Sequence, residues 1–320
     1  MLRRVLAPGV RSVGGVCVGL LRRQARAPAR LLARALSSDD APPDFDHAEK
    51  AAIFAKFFEQ GQPMWQAMSD LAQHNIHRDG PTRILDLGCG PGEPACHFAA
   101  TFPGVPTIAS DVAPSMIELA KQRVAAKGLA DTVECQVLDM ADLGSLEDAT
   151  YDLVIGQMSF QFVPDKPDAL REAHRVMAPG GLLVANVWVD FDLLPIAGGL
   201  VAAAAGPPDA PPPPNPNGPL GLADKALFDG LLRDAGFTLT AEHNHEGAFS
   251  ALLGALDDEQ SFKMAALPVW DTLDELSKGT VPDAWAKAQA AFPDIAQAYT
   301  DANGRVNLEG TYRIAVARKE

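Results

Sequence analysis

A short glycine-rich segment holds the residue types best suited to binding a small molecule. It runs Ile84-Leu85-Asp86-Leu87-Gly88-Cys89-Gly90-Pro91-Gly92, an apolar stretch that is followed by glycines at alternate positions. Glycine lets the backbone approach a ligand closely, and the N-terminus of a following helix offers N–H groups to a carboxylate or a phosphate. The segment therefore predicts a cofactor loop that includes Asp86, Gly88 and Gly90.

A nicotinamide dinucleotide is one alternative ligand for such a loop. Dinucleotide-binding loops have glycine at the first, third and sixth positions, whereas here Gly88 and Gly90 are followed at the sixth position by Glu93. Asp86 would also lie awkwardly close to a pyrophosphate. A nicotinamide-dependent oxidoreductase is therefore the less favoured hypothesis.

Further motifs follow the glycine loop in order along the chain. They are Ala109-Ser110-Asp111-Val112-Ala113-Pro114-Ser115-Met116, Leu138-Asp139-Met140, Tyr151-Asp152-Leu153-Val154-Ile155 and Arg175-Val176-Met177-Ala178-Pro179-Gly180-Gly181. Together with the loop they resemble the motifs of the class I S-adenosylmethionine-dependent methyltransferases. The resemblance covers residues 80–190, and is strongest to the small-molecule type (methyltransferase type 11) that includes the ubiquinone and menaquinone ring methyltransferases.

This resemblance implies S-adenosylmethionine as the cofactor. Asp86 and the glycines would lie at its methionyl portion, Asp111 would accept both ribose hydroxyls, and Asp139 would face the adenine amine. Val112 and Met116 would offer apolar faces to the adenine. The alternative for Asp111 is that it only caps the helix expected from Pro114. The expected cofactor-binding residues are Asp86, Gly88, Gly90, Asp111, Val112, Met116, Asp139, Met140 and Gln157.

Methyl transfer is an in-line displacement, so the enzyme mainly aligns the nucleophile, the methyl carbon and the sulfur. A general base is needed only where the acceptor is protonated, and no catalytic residue is assigned. The resemblance places the meeting point of acceptor and cofactor at Gln157-Met158-Ser159-Phe160. The Asn/Asp-Pro-Pro-aromatic motif of amino-group methylating enzymes is absent there. The arginine-asparagine pair of the quinone enzymes is absent too, so a quinone ring is not the favoured acceptor.

Short apolar strands alternate with helices from residue 83 to residue 189, which is typical of a mostly parallel sheet with helices on both faces. The expected fold class is α/β. It is a Rossmann-like, doubly wound, seven-stranded sheet whose last strand is antiparallel, preceded by N-terminal helices. The methyltransferase domain is expected at 47–320, with the cofactor half at 80–190. A proline-rich loop at 206–220 interrupts it, and a helical lid insertion at 249–303 precedes the last strand.

The first 38 residues differ in composition from the rest of the chain. They contain eight arginines and no acidic residue, which is typical of an amphipathic organelle transit peptide. The run Arg34-Ala35-Leu36-Ser37-Ser38 resembles a mitochondrial processing site, and residues 39–46 form a polar linker. The mitochondrial matrix is the expected location, and the chloroplast stroma is the alternative.

Beyond residue 38 the chain holds 19 basic and 41 acidic residues, a net charge of -22. Such a body is repelled by phosphate backbones, so nucleic acid is not expected as a partner. No apolar run reaches the ~20 residues of a membrane-spanning helix. Cys89, Cys96 and Cys135 form no CxxC pair, and His243 and His245 have no third ligand, so no metal is expected. The oligomeric state is left open.

The sequence thus predicts a small-molecule O-, N- or C-methyltransferase in an organelle. The alternative from another class is a catalytically silent, methyltransferase-like assembly factor that serves as a binding protein. The presence of Asp86, Asp111 and Asp139 disfavours that alternative, because a chain released from cofactor binding would lose some of these acids.

Overall fold

The computed structural model describes residues 48–76, 80–206 and 215–320. The expected transit peptide (1–38), the linker (39–46) and His47 lie outside these ranges. So do residues 207–214, the centre of the expected proline-rich loop. None of the helices within the described ranges is both long and apolar enough to cross a membrane.

The described ranges contain eight strands and ten α-helices. The strands are β1 (Ile84–Leu87), β2 (Thr107–Asp111), β3 (Val133–Val137), β4 (Tyr151–Gln157), β5 (Met177–Phe191), β6 (Phe237–Leu239), β7 (His245–Ala255) and β8 (Arg305–Lys319). The helices are α1 (Ala48–Phe58), α2 (Gln62–Asn75), α3 (Ala95–Thr101), α4 (Pro114–Ala126), α5 (Lys166–Val176), α6 (Leu193–Ala205), α7 (Lys225–Asp234), α8 (Glu259–Ala266), α9 (Trp270–Lys278) and α10 (Ala284–Ala296).

All eight strands belong to one sheet, in the order β3-β2-β1-β4-β5-β8-β6, with β7 also paired to β8. Strands β1 to β5 pair in parallel, and β8 runs antiparallel to β5, β6 and β7. The expected doubly wound sheet with an antiparallel last strand is confirmed. The strand order reverses between β1 and β4, so the loops after these strands meet at the edge formed by their carboxyl ends, where such folds bind ligands.

The sheet has eight strands rather than the expected seven, because the lid insertion (249–303) begins as a strand and not as a helix. In β7, Phe249, Ala251 and Leu253 are buried while the residues between them are exposed, a period of two. Strand β8 is 15 residues long, so its first part pairs with β7 and its last residues with β6. The helical part of the insertion begins only at Glu259.

Helices cover both faces of the sheet. On one face, α1, α2 and the helices of the lid insertion form a large apolar core that includes Phe57 and Met68. On the other face, α5 and α7 bury Leu170 and Phe228. Burial of each such side chain contributes about 1.5–3 kcal/mol, so the two cores are the main source of the sheet's stability.

Helix α1 is joined to the lid insertion by polar contacts as well as by apolar packing. The Gln60 side chain, just beyond α1, donates from Nε2 to the Leu252 carbonyl oxygen at 3.1 Å and accepts the Leu252 N–H at 2.7 Å. The buried Lys50 Nζ lies 2.6 Å from Asp271 Oδ2 on α9. Helix α1 and the lid insertion therefore form one structural unit.

Candidate cofactor site

The glycine loop joins β1 to α3 at the carboxyl edge of the sheet. Gly88 has a φ of +76° and Gly90 a φ of +50°, in the left-handed region that favours glycine. A Cβ added at Gly88 would lie 2.5 Å from the Cβ of Ser159, which follows β4. The loop after β1 and the turn after β4 therefore touch at Gly88, and no larger residue fits there without displacement.

The amides of this loop are engaged within the protein, which corrects the expectation that they would be free for a ligand. The N–H groups of Gly88 and Cys89 both donate to the carbonyl oxygen of Ser110 at 2.8 Å. The Gly90 N–H donates to Asp111 Oδ2 at 2.9 Å. Because loop and strand β2 satisfy each other, the loop contributes a closely fitting shape rather than free donors.

The N-terminus of α3 is also satisfied by nearby acids instead of being open to a ligand. The Ala95 N–H donates to Asp86 Oδ2 at 3.0 Å, and the His97 N–H donates to Glu93 Oε2 at 2.9 Å. Asp86 is fully buried, and this burial raises its pKa well above the usual value although the Ala95 N–H opposes the rise. Its second oxygen, Oδ1, has no partner among the described residues, so only Oδ1 is available to a ligand.

Asp111 stands at the carboxyl end of β2 with both carboxylate oxygens held by the backbone. Oδ2 accepts the Gly90 N–H and Oδ1 accepts the Ala113 N–H, each at 2.9 Å. Each carboxylate oxygen has a second lone pair, so both can still accept a hydroxyl. Burial raises the pKa of Asp111, against these backbone hydrogen bonds. Helix α4 begins at Pro114 without a side-chain cap, so Asp111 does not serve as its N-cap.

The residues expected around the adenine differ in accessibility. Val112 is 41% exposed, and Asp139 is also exposed. Met116 is only 1% exposed because it lies on the inward face of α4, so it offers no open surface to an adenine, contrary to expectation. The Met140 methyl lies 3.2 Å from the position that a Cβ at Gly88 would take, so this side chain borders the loop.

A group of buried polar side chains gathers where β4 ends beside β5. Gln157, the last residue of β4, has no hydrogen-bond partner for either amide atom in the part of the chain that the structure describes. Asn186 Nδ2, Gln161 Nε2 and Ser159 Oγ are also buried without a partner among the described residues. An unpaired buried polar group costs about 1–3 kcal/mol, so a set of them at one sheet edge indicates a place for a ligand.

The sheet register places three of the polar residues on one face. Asp86 pairs with Ile155, Gln157 follows two residues later, and Gln157 pairs with Asn186 on β5. Sequence reasoning expected Gln157 at the site but assigned no role to Asn186 or Gln161. For Asn186, the available signal was a polar residue within an otherwise apolar strand.

His243 makes a structural contact rather than a ligand site. Its Nε2 lies 2.8 Å from Asp229 Oδ1, and its Nδ1 accepts the Val316 N–H at 3.2 Å. Both ring nitrogens are therefore engaged. Within residues 48–76, 80–206 and 215–320, no group of three His, Cys, Asp or Glu side chains is placed to hold a metal ion.

Comparison with known proteins matches residues 85–185 to the methyltransferase domain family Methyltransf_11. The chain is 26% identical to the ubiquinone/menaquinone biosynthesis C-methyltransferase UbiE of Ectopseudomonas mendocina, over 65% of this chain and 90% of that one. It is 35% identical to 27-O-demethylrifamycin SV methyltransferase of Amycolatopsis mediterranei, over 38% and 43% of the two chains. A third relative is the chloroplastic tocopherol O-methyltransferase of Arabidopsis thaliana, 34% identical over 35% and 31%.

Of these relatives, the rifamycin and tocopherol enzymes are matched over less than half of their length. Among solved structures, the YcgJ protein of Bacillus subtilis is 15% identical, with a TM-score of 0.49 over 80% of this chain and 98% of that one.

The matched methyltransferase domain, the sheet order and the antiparallel last strand support a class I S-adenosylmethionine-dependent methyltransferase, with S-adenosylmethionine as its cofactor. The chain is similar to enzymes that are named for C- and O-methylation.

Proposed function

We propose that this protein transfers a methyl group from S-adenosylmethionine to a small-molecule acceptor. The observation that carries the proposal is Asp111, whose two oxygens are fixed by the Gly90 and Ala113 amides and keep lone pairs for a pair of ribose hydroxyls. The other parts of the edge also fit this cofactor. Asp86 Oδ1 is a buried acceptor without a partner among the described residues, suited to the cofactor's ammonium, and the exposed Val112 offers an apolar surface to its adenine.

In the proposed site, S-adenosylmethionine supplies an electrophilic methyl carbon on a positively charged sulfur. The protein's task is then alignment. Gly88 keeps the loop after β1 against Ser159, so the cofactor loop and the turn after β4 have a fixed separation. Asp111 and Asp139 fix the nucleoside, while Gln157, Met140 and Gly90 border the reacting end. Helix α1 contributes to water exclusion, because the Phe54 ring lies 3.8 Å from the position of a Cβ at Gly90.

Calorimetric titration of the full chain tests this function without a known acceptor. We expect binding of S-adenosylmethionine and S-adenosylhomocysteine and no binding of NADH, because Glu93 occupies the third glycine position of a dinucleotide loop. Absence of binding by a folded sample would contradict the proposal and favour the assembly-factor function. Binding of NADH alone would favour an oxidoreductase.

The organellar location is part of the same proposal and rests on the acid-free, arginine-rich first 38 residues. The chain carrying a C-terminal fluorescent protein should be imported by isolated mitochondria and shortened near residue 38, and a chain without residues 1–38 should stay outside. Import by chloroplasts and not by mitochondria would place it in the plastid.

A further inference from the structure

Side-chain amides add to the backbone hydrogen bonds where β4 separates from β5. Met158, directly after β4, has a φ of +51°, which is strained for a residue with a side chain. Its N–H donates both to the carbonyl oxygen of Asn186 at 3.1 Å and to Asn186 Oδ1 at 3.0 Å. Two residues further along β5, the Trp188 N–H donates to Gln161 Oε1 at 3.4 Å.

These contacts determine which way each amide points. A backbone N–H can only donate, so the oxygens of Asn186 and Gln161 must face Met158 and Trp188. The NH₂ groups, Asn186 Nδ2 and Gln161 Nε2, must therefore point away from the backbone. Both are buried and have no partner among the described residues. Asn186 and Trp188, to which the Gln161 side chain bonds, are two residues apart on β5, or roughly 7 Å, so both donors belong to one small region.

The three amide side chains of this region have more unpaired hydrogen-bond donors than unpaired acceptors. The NH₂ groups of Asn186 and Gln161 carry four N–H donors in total. Gln157 adds two more N–H donors and one amide oxygen that can accept. All three side chains are uncharged. Neutral donors fixed in a buried place stabilise negative charge that is spread over oxygen atoms, as an oxyanion hole does. Such a region favours a ligand that presents oxygen acceptors over one that presents N–H donors.

We propose that Asn186 and Gln161 bind an oxygen of the methyl acceptor, and that this acceptor is a phenol or an enol bound as its oxyanion. The inference rests on the proposed function, which supplies the methyl group. The acceptor loses its proton to solvent before it binds, so the site needs no general base. For an O-methyl product, a lone pair of the oxygen forms the bond to the methyl carbon. For a C-methyl product, the π electrons of the conjugated carbon form this bond, and a ring carbon then releases its hydrogen as a proton to solvent. The carbon–sulfur bond breaks, and its electron pair stays on the sulfur of the S-adenosylhomocysteine product.

The probe for this inference is 4-nitrophenol, whose ionised form absorbs visible light and whose protonated form does not. The full chain is titrated with the probe across a range of pH, with and without S-adenosylhomocysteine. We expect the bound probe to ionise at lower pH than the free probe, because the amide N–H groups stabilise its oxyanion. Nitrobenzene, which lacks the hydroxyl, and 4-nitroaniline, which presents N–H donors, should each bind at least about tenfold more weakly.

Gln161→Glu and Asn186→Asp are the informative variants. Each keeps the oxygen that accepts the backbone N–H and replaces only the NH₂ group, so the fold should persist and the thermal transition confirms it. Each should weaken binding of the ionised probe by about tenfold or more and remove the shift in its ionisation. Gln289→Glu, on the exposed side of α10, adds the same charge elsewhere and should change neither quantity.

Equal binding of 4-nitrophenol and nitrobenzene, or an unshifted ionisation, would overturn the inference. The amide NH₂ groups would then hydrogen-bond to water and not to the acceptor. Preference for 4-nitroaniline would overturn it in favour of an amine acceptor. S-adenosylhomocysteine binding is recorded in the same samples, so failure of the cofactor site is distinguished from failure of the amide site. Cofactor binding without a shifted probe refutes only the acceptor class, and a shifted probe without cofactor binding refutes only the proposed function.

Discussion

The two parts of the carboxyl edge differ in how their polar groups are satisfied. Around β1 and β2, the loop amides and the carboxylate of Asp111 bond to one another before any ligand is present. Around β4 and β5, Gln157, Gln161 and Asn186 keep buried groups without a partner among the described residues. Apart from Asp86 Oδ1, the first part is therefore preorganised, whereas the second is completed by its ligand. Preorganisation demands particular residues at particular positions, and the glycines and acids of the first part form such a pattern, whereas Gln157, Gln161 and Asn186 belong to no motif named above.

Gly88→Ala should give the largest effect, because it disrupts the contact between Gly88 and Ser159, which joins the two parts. The positive φ costs about 1–2 kcal/mol with any side chain, and the new Cβ would also lie 2.5 Å from that of Ser159. We expect loss of cofactor binding and a fall in unfolding free energy of about 3 kcal/mol or more, measured by calorimetry and urea denaturation.

Gly104→Ala is the matched control. Gly104 has a φ of +79°, but nothing lies within 4 Å of its Cβ position, so only the backbone cost of about 1–2 kcal/mol applies. Equal losses at the two positions would show that the contact between Gly88 and Ser159 carries no energy.

Asp111→Ala should remove the ribose acceptors from the preorganised part. Loss of charge-assisted hydrogen bonds weakens binding by about 1.5–3 kcal/mol, which calorimetric titration with S-adenosylhomocysteine would measure. Asp131→Ala, an exposed acid in the turn after α4, should leave the affinity unchanged. An unaltered affinity for the Asp111 variant would remove this residue from the site.

Gln60→Ala tests a contact outside both parts, because Gln60 joins α1 to β7 of the lid insertion through two hydrogen bonds with Leu252. We expect a loss of about 1 kcal/mol in stability and faster amide hydrogen exchange confined to β7 and its neighbours. The affinity for S-adenosylhomocysteine should persist. Gln73→Ala on the exposed side of α2 is the control, and matching exchange rates in the two variants would refute the role of Gln60.

The smallest expected effect concerns a polar pair away from the edge. Burial lowers the pKa of His243 below its usual 6.5, in spite of Asp229. The unfolded chain therefore takes up the proton first, and this residue's contribution to stability is lost as pH falls below about 6.5 towards the lower folded value. His243→Gln can supply a donor and an acceptor without titrating, so its stability should depend less on pH in urea denaturation.

His245→Gln is the control for that measurement, because His245 is exposed at the start of β7. If the wild type and both variants lose stability in parallel below pH 6.5, other groups account for the loss. His97 and His174 are the first to examine, since burial lowers the pKa of each.

Sequence patterns were most informative where the local requirement was strict. The glycine loop, the acids near the ends of β1 and β2, and the alternation of strands and helices follow from residue type and spacing, and the fold they predict is confirmed. The alternation of Phe249, Ala251 and Leu253 was also present in the sequence as a strand signal. It was outweighed by the helical pattern after Glu259.

Other features depend on contacts between residues distant in sequence. The engagement of Gly88 by the carbonyl of Ser110 and the burial of Met116 depend on how β2 and α4 pack. The orientation of the Gln161 amide depends on β5, 27 residues away. No spacing rule within one segment encodes such pairings.

The length of β8 has a consequence for engineering this fold. One continuous strand pairs with β5 inside the domain and with β7 in the lid insertion, with Tyr312 and Ile314 paired on both sides. The insertion therefore has no flexible hinge at this end. Replacing only its helices with those of another protein would not preserve the pairing of β7 with β8. A chimera designed for a new acceptor must transplant residues 245–314 as one cassette, with its strand register intact.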